Sequence, residues 1–433
     1  MRSTRIADHA RWIDSGQSAQ HASDDPGGST RKFSETTRPY AGGYQGYRGV
    51  LRQMGQPILQ FGTSRFLQAH VDLFVSQAMD AGQALGGITV VQTTGSPASA
   101  ERVAAFCNGQ GYPVMIRGLS RGERIDQLLT CKSIHMAFDA NSDWPLVVDH
   151  MAGDVKVIIS NTADRGYQID DRDTADLIGQ TAKVPRSFPA KLVVLLVHRW
   201  VVKPEAELSI FPCELVERNG DTLRDVVSQL ARKWNQPDDF IEWLHDHCVW
   251  ANSLVDRIVS EAIKPVGAIA EPYALWAIER QERLVLPCTH ESIVVTDDLK
   301  RFERLKLFFL NAGHTYLAQR WLTDARAVDE TVAQAMNDPL LRADLETLWA
   351  DEVLPIFQNF GHGVEALNYL TVVRERFLNP YLAHKLADIA QNHDEKKQRR
   401  LKPIVTLAET TSPELKQPLL RSALANITLK NSK

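Results

Sequence analysis

A glycine closes a short apolar strand, and a second such strand follows one helix later; few folds accept that pattern. Pro57-Ile58-Leu59-Gln60-Phe61-Gly62 reads as a buried strand running into a turn at Thr63-Ser64-Arg65. An amphipathic helix with Phe66, Ala69, Leu73 and Val75 turned inward then leads to Gly87-Ile88-Thr89-Val90-Val91-Gln92. Strand, tight turn, helix and strand within about 35 residues is the size of a βαβ unit, whose strands run parallel. Apolar runs at 113–118, 155–160 and 191–198 are short and rich in Val, Ile and Leu, as strands buried on both faces are. The first half is therefore expected to be an open, mostly parallel α/β sheet with its function at the carboxyl ends of the strands.

From about residue 239 the strand signal thins. Residues 240–247, 272–280, 297–322, 340–357, 362–377 and 381–392 read as helices, with Thr296 as an N-cap ahead of Asp297 and Asp298. Asn379-Pro380 interrupts the pattern, because a residue before proline disfavours helix. A chain of 433 residues exceeds one compact core. The expected division is a flexible polar tail over 1–50, a Rossmann-like dinucleotide-binding domain over 51–287, and a mainly α-helical substrate and catalytic domain over 288–433. The tail is too poor in apolar residues to order itself. The segment 249–287 would line a cleft between the two domains.

A net charge of −4, with no basic run interleaved with aromatics, argues against nucleic acid as a partner. No apolar stretch reaches membrane length and no charged-then-apolar leader is present, so no membrane partner is expected. Five cysteines without a CxxC pair suit a reducing, cytoplasmic setting. His245-Asp246-His247-Cys248 resembles a metal set, but neighbours on a helix point apart, and no metal is expected. A monomer or weak homo-oligomer acting on a small molecule fits this balance.

Three places carry chemistry. The first is the turn after Phe61. Gly62 stands where a dinucleotide site needs a glycine, whereas Ser64 replaces the second glycine and brings a hydroxyl. Arg65 and Phe66 open the helix behind it. The second strand ends on Gln92-Thr93-Thr94, neither acidic nor basic, so the ribose position does not separate NAD from NADP. The second place is Ser160-Asn161-Thr162-Ala163-Asp164-Arg165-Gly166-Tyr167, a polar loop leaving a buried strand. It reads equally as a cofactor loop or as an ordinary turn.

The third is Lys306-Leu307-Phe308-Phe309-Leu310-Asn311-Ala312-Gly313-His314. On an ideal helix Lys306, His314 and Asn311 lie at roughly 0°, 80° and 140°, on one side and within about 12 Å of axis. A base, an imidazole and an amide so arranged support proton and hydride chemistry at a carbinol carbon. A core helix with one satisfied histidine has the same pattern, and so does a snorkelling lysine.

Taken together, these segments resemble the long-chain, polyol-specific dehydrogenases that include mannitol dehydrogenase, and most of all the tagaturonate and fructuronate reductases. The matching pieces are Ile58-Leu59-Gln60-Phe61-Gly62, Ile159-Ser160-Asn161-Thr162 and Pro212-Cys213-Glu214-Leu215 with Asn219-Gly220. They continue through Asn252-Ser253-Leu254-Val255-Asp256-Arg257, Glu271-Pro272-Tyr273, Lys306…Asn311…His314 and Glu375-Arg376-Phe377 with Asn379-Pro380. They keep the family's order over about residues 55–405.

The resemblance implies metal-independent hydride transfer between NAD, NADP not being excluded, and a sugar acid or polyol. Lys306 matches the general base, and Asn311 and His314 match the residues that hold the reacting oxygen. Mannitol dehydrogenases add an asparagine where Leu215 stands here, a departure that favours the keto-uronate branch. A neutral polyol dehydrogenase and a non-catalytic dinucleotide sensor are the alternatives. Phe61, Gly62, Ser64, Arg65, Phe66, Gln92, Asn161 and Thr162 fall on the cofactor side. Glu214, Asn252, Asp256 and Arg257 fall on the substrate side, with Arg376 and Lys396 as cations for a sugar-acid carboxylate. Relatives carry a glycine and an arginine where Ser64 and Gln68 stand, which implies a rearranged pyrophosphate contact. A lysine base at neutral pH also requires surroundings that disfavour its ammonium by roughly 4 kcal/mol. Phe308, Phe309 and Arg376 are the expected sources of that pressure.

Overall fold

The structure is a computed structural model and describes residues 56–95, 97–162 and 166–425. The tail expected over 1–50 lies outside the described residues, as do Ala163, Asp164 and Arg165 of the second polar loop. The described strands begin with β1 (Ile58–Phe61), β2 (Ile88–Gln92), β3 (Tyr112–Ser120), β4 (Glu123–Cys131), β5 (Ile134–Asp139), β6 (Val157–Ser160) and β7 (Leu208–Pro212). They continue with β8 (Cys248–Trp250), β9 (Ser253–Asp256), β10 (Val259–Ala262), β11 (Ala268–Ala270), β12 (Leu275–Glu279) and β13 (Ile293–Thr296).

The main sheet runs β5-β2-β1-β6-β7-β8, and every pairing in it is parallel. Chain order reverses between β1 and β6, the switch point at which such sheets bind ligands. Register sets the edge level: Phe61 pairs with Val91 and Ser160, and Ser160 pairs with Pro212. Residues 62–64, 92, 161 and 213–214 therefore emerge side by side.

Period-two alternation explains the layers. Leu59, Phe61, Ile158 and Ile210 face one core, which α4 (Ala140–Met151), α5 (Phe188–Val202), α6 (Asn219–Lys233) and α7 (Asp238–Asp246) complete. They follow α1 (Arg65–Gln68), α2 (Val71–Asp80) and α3 (Pro97–Phe106) in the chain. Ile58, Val90, Val157 and Ile159 face a second core with α2 and the sheet β10-β11-β3-β4.

A third core belongs to the helical lobe. There α8 (Leu299–Leu305) continues through a π-helical turn, Lys306–Asn311, into α9 (Ala312–Thr323). Further on come α10 (Val332–Asn337), α11 (Pro339–Thr347), a second π turn (Leu348–Val353) and α12 (Leu354–Asn359). The lobe ends with α13 (Gly363–Phe377), α14 (Leu386–Ile389), α15 (His393–Arg400), α16 (Lys402–Thr411) and α17 (Pro418–Leu424). No helix among the described residues is long and apolar enough to cross a membrane.

An α/β lobe with a mostly parallel sheet and a mainly helical lobe are thus both present, and several elements correct the sequence reading. Residues 191–198 are not a strand but the middle of α5, a mostly apolar element of fifteen residues, a length that only a helix uses. Residues 113–118 are a strand, but in the second sheet, antiparallel to β4. Residues 272–280 hold β12, paired with β9 and β13, and the strand signal does not thin at 239, since β8 to β13 lie beyond it. Residues 381–392 keep only the short α14. Asp298, not Thr296, caps α8 by accepting from Arg301 N, while Thr296 Oγ1 accepts from Asp298 N.

The helix expected after Gly62 breaks at Ala69-His70. Arg257 Nη1 donates to the Ala69 carbonyl at 2.6 Å, and the His70 ring bonds Leu275 O at 3.1 Å. The Ala69 carbonyl is thereby drawn out of the helical ladder, while the His70 backbone still donates to Leu67 O and accepts from Phe74 N.

His70 is fully buried among Phe66, Phe74 and Trp276. Burial is the main cause that pushes its imidazole down to about 3. A lowered histidine contributes stability that is present above its unfolded value near 6.5 and is lost as pH falls toward the folded value. Urea unfolding from pH 7 to 4 is therefore expected to show a steeper loss in the native chain than in His70→Gln. The difference should approach about 1.4 kcal/mol per pH unit between about 5.5 and 4, and parallel curves would contradict it.

Candidate active site

The turn after β1 is shaped by one close approach. Gly62 has φ +108°, and a Cβ there would stand 2.6 Å from the Asn161 carbonyl, which binds this edge of β1 to the loop after β6. Ser64 caps α1, accepting from Leu67 N at 3.2 Å, and its hydroxyl reaches Asn161 Oδ1 at 3.2 Å. Asn161 Nδ2 donates to Cys213 O, closing a chain from β1 to β7. Gln68, where relatives were expected to carry arginine, ties the turn to the β10–β11 hairpin through Thr63 O and Gly267 N. Glu214 is buried and accepts from Ser160 Oγ, from Thr162 N and Oγ1, and from Tyr167. Burial pushes its carboxyl up despite those bonds.

This edge forms one wall of a cavity of about 260 Å³ lined by Phe66, Asn161, Cys213, Glu214, Leu215, Val255, Arg257 and Lys306. Lys306 comes from the helical lobe, and its Nζ donates to Val255 O at 2.8 Å and stands 3.6 Å from Asp256 Oδ1. The cavity therefore joins a cationic side chain to the carboxyl ends of parallel strands. Backbone at a helix start, the Ser64 hydroxyl and an open crevice at the switch point fit a dinucleotide's pyrophosphate and nicotinamide ends.

Behind Lys306 lies a buried ion cluster. Arg376 of α13 grips Asp256 with two bonds of 2.9 Å and Glu271 with bonds of 2.7 and 3.0 Å. Its guanidinium lies over the Tyr273 ring, 4.5 Å from the centroid, and Tyr369 OH donates to Asp256 at 3.1 Å. Burial alone would raise Asp256, but Arg376 and Lys306 beside it hold its carboxyl well below the usual range. Glu271 is pushed up by burial, and the Asp256 charge adds to that. The two carboxylates share one guanidinium and titrate as a unit, with Asp256 the more firmly ionised.

Other expected site residues are placed differently. Arg376 is buried off the cavity lining with four of its N–H groups given to Asp256 and Glu271, and does not face a substrate carboxylate in the way expected. Arg257 does line the cavity, and it donates to the Glu271 and Ala69 carbonyls. Asn252 is buried against Asp221 and Glu279, away from the cavity lining. The Phe61 ring is in the core against Phe188, so only its backbone serves the site. Arg65 is exposed, and Thr162 is held by Glu214.

Asn311 ends the π turn, and His314 lies buried on the next turn, stacked 4.3 Å from Phe377 and edge-on to His384 at 4.9 Å. Burial first, then the charges of His384, Arg376 and Arg400, hold the His314 imidazole well below its usual range. Lys396 donates to Ile389 O. Phe308 and Phe309 belong to the helical core, against Phe357, and do not enclose the lysine tip. Tyr369 and Arg102 were missed. Tyr369 lies seven residues, two helical turns, before Arg376 and so on its face, a spacing that was visible in the sequence. Among the described residues, no group of three or more His, Cys, Asp or Glu is arranged to hold a metal ion.

Residues 56–286 match the mannitol dehydrogenase Rossmann domain, and residues 298–429 the mannitol dehydrogenase C-terminal domain. The altronate oxidoreductase of Halalkalibacterium halodurans is 32% identical over 81% of this chain and 70% of its own length. That of Bacillus subtilis is 30% identical over 82% and 76%. Two solved structures share the fold. A D-sorbitol dehydrogenase has a TM-score of 0.68 at 19% identity, over 81% of this chain and 76% of that one. Pseudomonas fluorescens mannitol 2-dehydrogenase in ternary complex with NAD and D-mannitol has 0.64 at 20%, over 85% and 78%.

Removing Arg376 leaves Asp256 and Glu271 buried with too little positive charge. Arg376→Met is expected to destabilise the protein by about 3–5 kcal/mol, read from the urea midpoint, and to lower activity on acidic and neutral substrates alike. A loss below about 1 kcal/mol would show that the cluster does not form.

Proposed function

We propose, from the premise that this chain belongs to the mannitol dehydrogenase family, that it interconverts a keto-uronate of the tagaturonate or fructuronate type with its aldonate. It is an NAD-dependent dehydrogenase acting on CH–OH groups. The observation that carries the finer reading is the Lys306 ammonium on a cavity wall opposite Phe66, Asn161 and Glu214 at the sheet edge. The names of the altronate oxidoreductases it resembles support the sugar-acid class. Residues 51–287 hold the dinucleotide in this reading, and 288–433 bring the catalytic side chains.

When bound, the reduced nicotinamide supplies a hydride to the substrate carbonyl carbon. Lys306 has the complementary task, without a metal. Its Nζ gives a proton to the developing alkoxide in reduction and takes one from the hydroxyl in oxidation. The Val255 carbonyl fixes where that nitrogen stands. Hydrogen bonds in a π turn run from residue i to i+5, which draws Asn311 toward the side of the helix that Lys306 occupies. Its amide and the neutral His314 imidazole hold the reacting oxygen.

With Arg376 engaged, the sugar-acid carboxylate is assigned to α15. Lys396 and Arg400 stand one turn apart there, and their charges reach His384 beside His314.

Lys306→Ala is expected to lower kcat by about 10²–10⁴ while NADH titration stays unchanged. Full turnover in that variant would remove the lysine from the chemistry. Lys396→Met should raise KM for the keto-uronate by about tenfold and leave any activity on a neutral ketose as it was. An equal effect on both substrates would move the carboxylate elsewhere.

A further inference from the structure

The adenosine end of a dinucleotide falls beside the end of β2, where a carboxylate that accepts from the ribose hydroxyls selects NAD. Gln92 occupies that position, and both ends of its amide are engaged. Its Nε2 donates to Thr94 O and Oγ1, and its Oε1 accepts from Thr63 and Arg102. The neighbouring carboxylate, Asp139 at the end of β5, caps α4 by accepting from Asn141 N at 2.8 Å and from Asn141 Nδ2 at 2.9 Å. Glu101 precedes Arg102 on α3, is exposed, and lies about 100° round the helix from it.

Into this gap α3 sends Arg102. Its Nη1 donates to Thr63 Oγ1 at 2.9 Å and to Gln92 Oε1 at 3.1 Å, spanning the β1 turn and the tip of β2. The guanidinium is partly exposed and meets no carboxylate among the described residues. An arginine has five N–H donors in a planar fork, so those on Nε and Nη2 remain for a ligand. A planar cation held at a strand end by neutral oxygens suits a phosphate monoester better than a ribose diol.

We propose that Arg102 forms a site for the 2′-phosphate of NADP(H), so that this chain binds NADP(H) at least as tightly as NAD(H). The proposal rests on the dinucleotide-binding reading above. Gln92 and Thr63 act as positioning residues that hold the guanidinium over the strand end.

Fluorescence titration of the full chain with NADPH and with NADH, without sugar substrate, tests this. NADPH is expected to bind at least as tightly as NADH. Arg102→Met is expected to weaken NADPH by about ten- to hundredfold and to leave NADH within about threefold, with Arg102→Lys partly restoring NADPH. Retained NADH binding also shows that the variant is folded. NADH binding with NADPH more than tenfold weaker in the native chain overturns the 2′-phosphate site alone, as does an equal loss of both in Arg102→Met. Binding of neither dinucleotide to the native chain overturns the dinucleotide reading together with it.

Discussion

Two carboxylates and a guanidinium, buried together, decide where the half-buried reactive ammonium stands. Asp256, Glu271, Arg376 and Lys306 sum to no net charge, the condition under which such groups tolerate a low dielectric. Each comes from a different stretch: the end of β9, the strand junction before β12, α13, and the π turn. The set extends further, because Arg257 holds the Glu271 backbone carbonyl with one face of its guanidinium and Ala69 with the other. Ala69 follows α1, the helix that opens at the dinucleotide turn. A continuous run of hydrogen bonds and ion pairs thus connects the cofactor edge of the sheet to the lysine of the helical lobe.

The sheet edge is organised by the same economy of groups. Asn161 accepts from Ser64 with its amide oxygen, donates to Cys213 with its nitrogen, and offers the carbonyl against which Gly62 must lack a Cβ. Glu214 gathers Ser160, Thr162 and Tyr167. Substitution of the expected second glycine by Ser64 is thereby absorbed into the scaffold, and Gln68 replaces a charged reach toward ligand with a brace to Gly267. Leu215, 74% exposed on the cavity rim, leaves the rim apolar at that point.

How much of this the sequence disclosed depended on the range of the interaction. The β1–α1–β2 unit was legible because strand alternation and a turn glycine are local properties. The helix that carries Lys306, Asn311 and His314 was likewise visible, but the π turn inside it was not. Residues 191–198 and 272–280 were misread because an almost wholly apolar run and a mixed one carry no period that separates helix from strand. The surroundings of Arg376 were misjudged for a different reason. A cation's partner is chosen by tertiary proximity, and Glu271 and Asp256 lie more than a hundred residues from Arg376. Arg102 escaped notice because it reaches the end of β2 from the next helix rather than from the strand itself.

The π turn at 306–311 is the local expense of this arrangement. It gives up the i to i+4 ladder in the middle of a long helix, a feature found frequently at functional sites. What holds it is visible: the indole of Trp349, in the second π turn, donates to the Phe309 carbonyl at 3.1 Å. Phe309 itself stacks on Phe357 at 5.2 Å. A buried ion cluster is a weak source of net stability, since hydrophobic residues of similar volume often do as well or better. Its value here is positional. The π turn carries Lys306 out of the helical core toward Val255, and the Asp256 carboxylate, itself pinned by Arg376 and Tyr369, leaves that ammonium one place to stand.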